Sequence, residues 1–194
     1  MKPQQISCIF ILSILIIACG NETFTPKPTG YFRIDLPEKS YHQLVSDCPF
    51  TFDVPDYAKI VQNVSTPNKP CWFNVEFPKL HASIYLSYKP IETDTSLNTY
   101  LEDSRTLAFK HTIKANDIEQ KILMFPDKKV YGLIYTIEGN AASSYQFHLT
   151  DSTNHFLRGS LYFNNIPNQD SIQPVLDFVE EDIKHLYETF EWKN

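Results

Sequence analysis

The chain has 194 residues, with 23 acidic and 17 basic side chains and a formal net charge of −6. An acidic chain is not attracted to a phosphate backbone, so the composition argues against nucleic-acid binding. The length allows one domain with a substantial core, and 14% aromatic residues favour a β-rich core.

The N-terminus has the pattern of a bacterial lipoprotein export signal. Lys2 gives a positive start, and residues 6–18 are almost entirely apolar. This run is shorter than the roughly 20 residues that span a bilayer, which favours the apolar part of a signal peptide. It ends in Ile16-Ile17-Ala18-Cys19, which resembles the lipobox of lipoprotein signal peptidase.

We therefore expect residues 1–18 to be removed and Cys19 to become the first residue of the mature protein. Its thiol would carry a diacylglyceryl group with palmitate-like chains. Two or three acyl chains anchor a protein stably in a membrane. A signal peptide with a chance cysteine and a retained membrane anchor are the alternatives.

The remaining cysteines indicate one disulfide. Cys8 would leave with the signal, so Cys48 and Cys71 form an even pair in an oxidising compartment. A bond between them would close a loop of about 24 residues and contribute about 2–4 kcal/mol. Two buried free thiols are the alternative. No CxxC and no nearby histidine completes a tetrahedral set, so no metal site is expected here.

After the signal, residues 19–30 contain two prolines and few apolar residues, which predicts a tether. Residues 31–194 are predicted to form a single globular domain. Stretches rich in alternating, β-branched or aromatic residues predict its strands: Tyr31–Leu36, Phe50–Val54, Trp72–Phe77, Ser83–Tyr88, Ile118–Met124, Lys129–Glu138, Ser144–Thr150 and Phe156–Asn164.

Two segments have helical periodicity, residues 96–115 and 171–189, and each places its apolar residues on one stripe. The order of strands, helix, strands, helix predicts an α+β fold in which a largely antiparallel sheet packs with two main helices. This order is similar to that of the Mog1/PsbP-type sandwich.

Acidic residues lie beside the apolar stripe of the second helix. Glu180, Glu181 and Asp182 fall off that stripe, which predicts a face exposed to solvent. A binding surface for a basic partner is the alternative interpretation, because a continuous negative face could steer such a partner.

No motif of catalysis or cofactor binding is recognisable. The chain has no HExxH, no GxSxG and no glycine-rich phosphate loop. Of the six histidines, His148 and His155 could at most face each other across a hairpin. No spacing places a base beside a nucleophile. We expect no catalytic residue, no metal and no cofactor, and hence a protein that is not an enzyme.

Several stretches together resemble one family. They are Gly30–Pro37 (GYFRIDLP), Cys71-Trp72 with Glu76-Phe77-Pro78, Leu101–His111 (LEDSRTLAFKH), and Gly139–Phe163 (GNAASSYQFHLTDSTNHFLRGSLYF), followed by Asp170-Ser171 and Asp182-Ile183. The chain is similar over nearly its whole mature length to the gliding-motility lipoprotein GldD family of the Bacteroidota. The resemblance implies a role in gliding motility and in the associated type IX protein secretion machinery. It also implies other Gld lipoproteins and the membrane protein GldE as partners, and no established catalytic residue.

The resemblance leads to two further expectations. Asp151-Ser152-Thr153 and Asp170-Ser171-Ile172 resemble the O-glycosylation acceptor pattern of this phylum, with Ser152 and Ser171 as acceptors, although turn and cap chemistry alone also explains them. The position after Cys19 holds Gly20 and not aspartate, and no acidic run follows. A periplasm-facing place on the outer membrane is therefore preferred over the inner membrane.

Our interpretation is a lipid-anchored, non-catalytic scaffold or assembly factor of the cell envelope. One alternative is an envelope enzyme that acts on glycan or lipid, which would need a polar concave cleft lined by histidine or aspartate. Another is a module that binds a small ligand in a pocket of the sandwich. A broad apolar patch with a rim of polar residues would favour the scaffold.

Overall fold

The computed structural model describes residues 34–62, 68–69, 71–164 and 169–193, and of residues 169 and 170 the backbone only. The strands are Tyr41–Gln43 (β1), Phe50–Thr51 (β2), Asp53–Pro55 (β3), Lys59–Gln62 (β4), Trp72–Phe77 (β5), Ala82–Pro90 (β6), Ala115–Phe125 (β7), Val130–Gly139 (β8), Ser143–Thr150 (β9), His155–Phe163 (β10) and Glu191–Trp192 (β11). The helices are Asp94–Phe109 (α1) and Gln169–Thr189 (α2), and short 3-10 turns span Pro78–Leu80, Lys110–Ile113 and Pro126–Lys128.

A seven-stranded sheet in the order β4-β5-β6-β10-β9-β8-β7 forms the centre of the fold. Every neighbouring pair in it is antiparallel. The hairpin β5–β6 joins the meander β7–β10 through the pairing of β6 with β10, where His155 lies opposite Pro90 and Phe163 opposite Ala82. The predicted α+β fold with a largely antiparallel sheet and two main helices is confirmed.

The two helices pack on opposite faces of the sheet, because neighbouring residues of a strand point to opposite sides. On β8, Ile134 belongs to the large cluster that contains Val179 and Ile183 of α2. The next residue, Tyr135, packs in a smaller cluster with Ala108 of α1. The larger core lies under α2, where burial of apolar side chains contributes most to stability.

A glycine on β10 makes room for an aromatic ring in that core. Gly159 lies opposite Phe147 in the β9–β10 register. A Cβ atom at Gly159 would lie 2.1 Å from the Phe147 ring, so a side chain there would displace it. Phe147 is fully buried, and we infer that the missing side chain lets the two strands keep their register around this ring.

Cys48 and Cys71 are joined by a disulfide, in agreement with the predicted pairing. The bond connects the loop before β2 to the residue that precedes β5, so it ties the N-terminal part of the domain to the main sheet. Cys48 is buried in the larger core.

Some predicted boundaries are wrong. The strand predicted over Tyr31–Leu36 is absent in residues 34–36, and its first three residues lie outside the described part. The first helix ends at Phe109, and the predicted last residue, Ala115, begins β7. The side chain of Thr93 accepts a hydrogen bond from the backbone N–H of Ser96 and caps α1.

Candidate functional site

A buried carboxylate joins α2 to the N-terminal part of the domain. Asp182 is 2% exposed. Its Oδ1 accepts a hydrogen bond from Lys39 Nζ at 2.7 Å and one from the Tyr41 hydroxyl at 2.8 Å. The Tyr57 hydroxyl lies 2.7 Å from Oδ2 and 2.8 Å from Oδ1. We call these four residues the Asp182 cluster.

The cluster satisfies both the charge and the hydrogen-bonding capacity of Asp182. Lys39 supplies the compensating charge, and its Nζ also donates to the backbone oxygen of Phe178 at 2.6 Å and lies 3.6 Å from the centre of that residue's ring. Burial and then the hydrogen bond to Asp182 raise the pKa of Tyr41 and of Tyr57 above the ordinary value. Both tyrosines therefore remain protonated donors across the physiological range.

A second set of contacts continues the cluster along α2. The ring of His185 stacks on that of Tyr41, with 3.8 Å between the centroids. His185 Nε2 lies 3.1 Å from Asp53 Oδ2. The backbone N–H of Asp53 donates to Thr189 Oγ1 at 3.0 Å. The helix thus holds β1 and β3 through polar contacts.

The expected exposure of the three consecutive acids is correct for two of them and wrong for the third. Glu180 and Glu181 are exposed, whereas Asp182 faces the interior. The exposed acids of the helix form what we call the acidic stripe, in which Lys184 lies between the third and the fourth acid: Asp177, Glu180, Glu181 and Glu188.

The acidic stripe is partly tied to the domain. Glu181 Oε2 lies 3.7 Å from Lys39 Nζ, and Glu188 lies 3.9 Å from Lys184. Burial, and then the hydrogen bond to Glu180, raise the pKa of Tyr145. The two ion pairs are exposed and weak, so Glu181 and Glu188 remain available to another protein, whereas Glu180 also contacts the buried Tyr145.

A serine and a histidine meet on the opposite side of the sheet, contrary to the expectation that no base lies beside a nucleophile. Ser104 Oγ on α1 lies 3.2 Å from His148 Nδ1 on β9. Ser104 is only 1% exposed, so a substrate has no access to its hydroxyl. Burial, followed by the charge of Arg158, lowers the pKa of His148 to about 4. Such an imidazole is a poor general base near neutral pH.

His148 and His155 do not meet. Arg158, not His155, lies opposite His148 in the register, and the His148 ring stacks on Phe156. His155 instead contacts the Tyr88 hydroxyl at 2.8 Å through Nδ1 and stacks on Trp192. Within the described residues, no three potential metal ligands of the histidine, cysteine or carboxylate type come together.

A wide groove of about 1030 Å³ opens at the end of the sandwich where the β9–β10 turn and the C-terminus lie. Charged side chains line much of it: Asp47, Asp127, Lys128, Lys129, Asp151, Glu191 and Lys193. Trp192 also lines the groove, and its Nε1 is buried without a hydrogen-bond partner. The groove is therefore polar and of mixed charge.

Ser152 lies at the tip of the β9–β10 turn. It is exposed and has a φ of 67°, a left-handed conformation that is uncommon for serine. Asp151 fixes this turn, since its Oδ1 accepts from the backbone N–H groups of Thr153, Asn154 and His155 at 2.8–3.0 Å. Burial is the largest single effect on the pKa of Asp151 and raises it. The hydrogen bonds together outweigh burial, so the pKa lies below its ordinary value.

Ser171, in the first turn of α2, is exposed as well. A glycosylation acceptor must be exposed, and both serines meet this requirement. Glycosylation of Ser152 and Ser171 stays a prediction. Cys19 lies outside the described residues, so its acylation also stays a prediction. Among the helices of the described part, none combines the length and the apolar content needed to cross a bilayer.

Together, the fold and these sites define a small α+β sandwich domain with one disulfide and a charged outer helix. A family model described as "Gliding motility lipoprotein GldD" matches residues 21–192. The chain belongs to this family, and it is accordingly a lipid-anchored envelope protein of gliding motility.

One similar solved structure is the solution structure of cyanobacterial PsbP (CyanoP) from Synechocystis sp. PCC 6803. It is 12% identical, covers 86% of this chain and 99% of its own, and gives a TM-score of 0.49. That cyanobacterial protein bears the PsbP name mentioned above for the order of elements, and the likeness carries no argument about this chain. No curated protein matches the chain.

Replacing the buried carboxylate should destabilise the domain. Asp182→Asn removes the buried carboxylate that accepts hydrogen bonds from Lys39, Tyr41 and Tyr57. Lys39 then keeps only the exposed Glu181 at 3.7 Å, and losing hydrogen bonds to a buried charged group costs on the order of 2 kcal/mol. Glu181→Gln is the matched control, since an exposed change costs within about 0.5 kcal/mol. Chemical denaturation of both variants in detergent measures the difference. Equal stability of the two variants would contradict the role given to Asp182.

Stability should also depend on pH through His148. The pKa of His148 is about 4 in the folded chain and lies below the ordinary value of 6.5. Between these two values, His148 binds a proton in the unfolded chain but not in the folded chain. Stability is therefore lost as pH falls through this window, by about 2 kcal/mol between pH 7 and pH 5. His148→Gln should flatten this part of the slope in denaturation curves taken at both pH values. An unchanged slope would show that His148 is not the responsible group.

Proposed function

We propose that this gliding-motility lipoprotein acts as a non-catalytic scaffold or assembly factor of the type IX secretion machinery, and that the acidic stripe of α2 is its contact surface. The exposed row of Asp177, Glu180, Glu181 and Glu188 is the observation that carries the proposal. One lysine, Lys184, interrupts it, so the row has a net negative charge.

A charged row of this kind favours a basic partner. Complementary potentials speed encounter and select the partner, even where each exposed pair adds little affinity. α2 is also firmly seated, because its apolar side packs in the larger core and Asp182 ties it to Lys39. A rigid helix presents its outer side chains without an ordering cost on binding. Other Gld lipoproteins and GldE are the partners that we propose.

The position at the membrane follows from the N-terminal pattern. We propose that Cys19 carries the acyl chains, that residues 19–30 act as the tether, and that the domain faces the periplasm from the outer membrane. The inner membrane is the second choice, because Gly20 and Asn21 after Cys19 contain no retention signal of the aspartate type. The acyl chains would anchor the protein.

One observation bears on both alternatives, because the groove is a polar concave cleft lined by Asp127, Asp151 and His155. Its volume of about 1030 Å³ is large enough for a small molecule, but the buried indole N–H of Trp192 is not accessible to one. The Ser104–His148 pair gives the enzyme no comparable support, because the serine hydroxyl is shielded. We rank the scaffold first because the acidic stripe has a net negative charge, whereas the groove carries side chains of both signs.

Reversing the charge of the stripe should abolish function without unfolding the protein. Asp177→Lys/Glu181→Lys should impair gliding and secretion at unchanged abundance, since the change removes the attraction for a basic partner. Glu180 is kept because of its hydrogen bond to the buried Tyr145. Asp182 is left intact because it is structural. The control is Glu102→Lys/Asp103→Lys, which changes the same number of exposed acids on α1. Spreading of colonies and the amount of secreted cargo are measured; equal effects of both double variants, or no effect of the first, would contradict the proposal.

A further inference from the structure

The strand β7 lies at one edge of the main sheet. It pairs with β8 on one side only, among the described strands. Two of its apolar side chains face solvent: Ile122 is 68% exposed and Met124 is 64% exposed. A long edge strand with unpaired backbone groups and exposed apolar residues is a template for pairing with another strand.

Edge strands are often protected by charges, because like charges meet when two such strands pair. In one pairing register, the charges of β7 would instead attract a second copy of the strand. Glu119, Gln120 and Lys121 are all exposed and consecutive. If β7 meets an antiparallel copy of itself centred on Gln120, Glu119 of each copy lies directly opposite Lys121 of the other.

The same register also matches the apolar side. Residues two apart in the sequence lie on the same face of a strand. In the register centred on Gln120, Ile118 of each copy lies opposite Ile122 of the other copy. Centring the pair on Glu119 or on Lys121 would instead place like charges opposite each other, which is destabilising. Of these three registers, only the one centred on Gln120 has no like-charge pair and places Glu119 opposite Lys121.

We propose that β7 pairs antiparallel with β7 of a second copy of this chain, centred on Gln120, so that two seven-stranded sheets become one continuous sheet. The two-fold axis passes midway between the two Gln120 residues, and the interface is isologous. The pairing satisfies backbone groups of both edges and covers Ile122, which otherwise faces water. It does not depend on the acidic stripe or on the partners proposed above.

Thiol crosslinking in cells tests this pairing on the full lipidated chain. Gln120→Cys places two thiols beside the two-fold axis, within reach of a short bis-maleimide reagent. The control is Lys59→Cys, an exposed residue of β4 at the other edge of the sheet. The proposal expects a crosslinked species of twice the chain mass for Gln120→Cys and little for Lys59→Cys.

A charge swap in the Gln120→Cys background identifies the occupant. Glu119→Lys alone, or Lys121→Glu alone, creates two like-charge pairs and should reduce the crosslinked dimer about tenfold. Glu119→Lys with Lys121→Glu restores opposite pairs between two altered copies and should restore the dimer. A product that contains a different protein, a dimer with both cysteine variants alike, no dimer at all in a stable variant, or failure of the double swap would each overturn the proposal.

Discussion

The carboxylate of Asp182 is the contact on which much of this structure depends. It is buried, and it receives hydrogen bonds from Lys39, Tyr41 and Tyr57, which come from the segment that enters the domain and from the loop after β3. A buried charge is tolerated only when it is paired and hydrogen-bonded. Because these contacts hold α2 against the start of the domain, the outer face of the helix has a fixed position relative to Lys39 and β1.

That constraint explains how one helix can serve both the core and the surface. Its apolar side, which includes Val179 and Ile183, closes the larger hydrophobic cluster. Asp182 lies at the border and gives the helix a polar anchor, while Glu180 and Glu181 point outward. The surface that we propose for partner binding is therefore supported from behind by packing and by charge pairing.

The sheet could be predicted from the sequence to a large extent, because its strands have strong periodicity. Trp72–Phe77 is correct to the residue, and the strands of the long meander are correct within a few residues. Short strands such as β1 and β11 were not predicted, since two or three residues carry no pattern and form only where tertiary pairing places them. α1 ends at Phe109, where the 3-10 turn Lys110–Ile113 follows, and no glycine or proline marks this end in the sequence.

The sites were harder to predict because their partners lie far apart in the chain. Asp182 follows two exposed acids, and its helical position borders both faces; only its contact with Lys39, 143 residues away, decides that it is buried. The Ser104–His148 contact spans 44 residues and joins a helix to a strand. Helical spacing alone could have suggested the acidic stripe, but it could not show that Asp182 is buried.

The acidic stripe is tested most directly by identifying what touches it in the cell. A photoreactive amino acid placed at Glu181 of the full lipidated chain, in cells that glide, should crosslink to a discrete envelope protein with a basic surface. The same amino acid placed at Glu102, an exposed acid of α1, should give no such product. No crosslink at Glu181 in a stable, correctly localised protein, or the same products at both positions, would contradict the account.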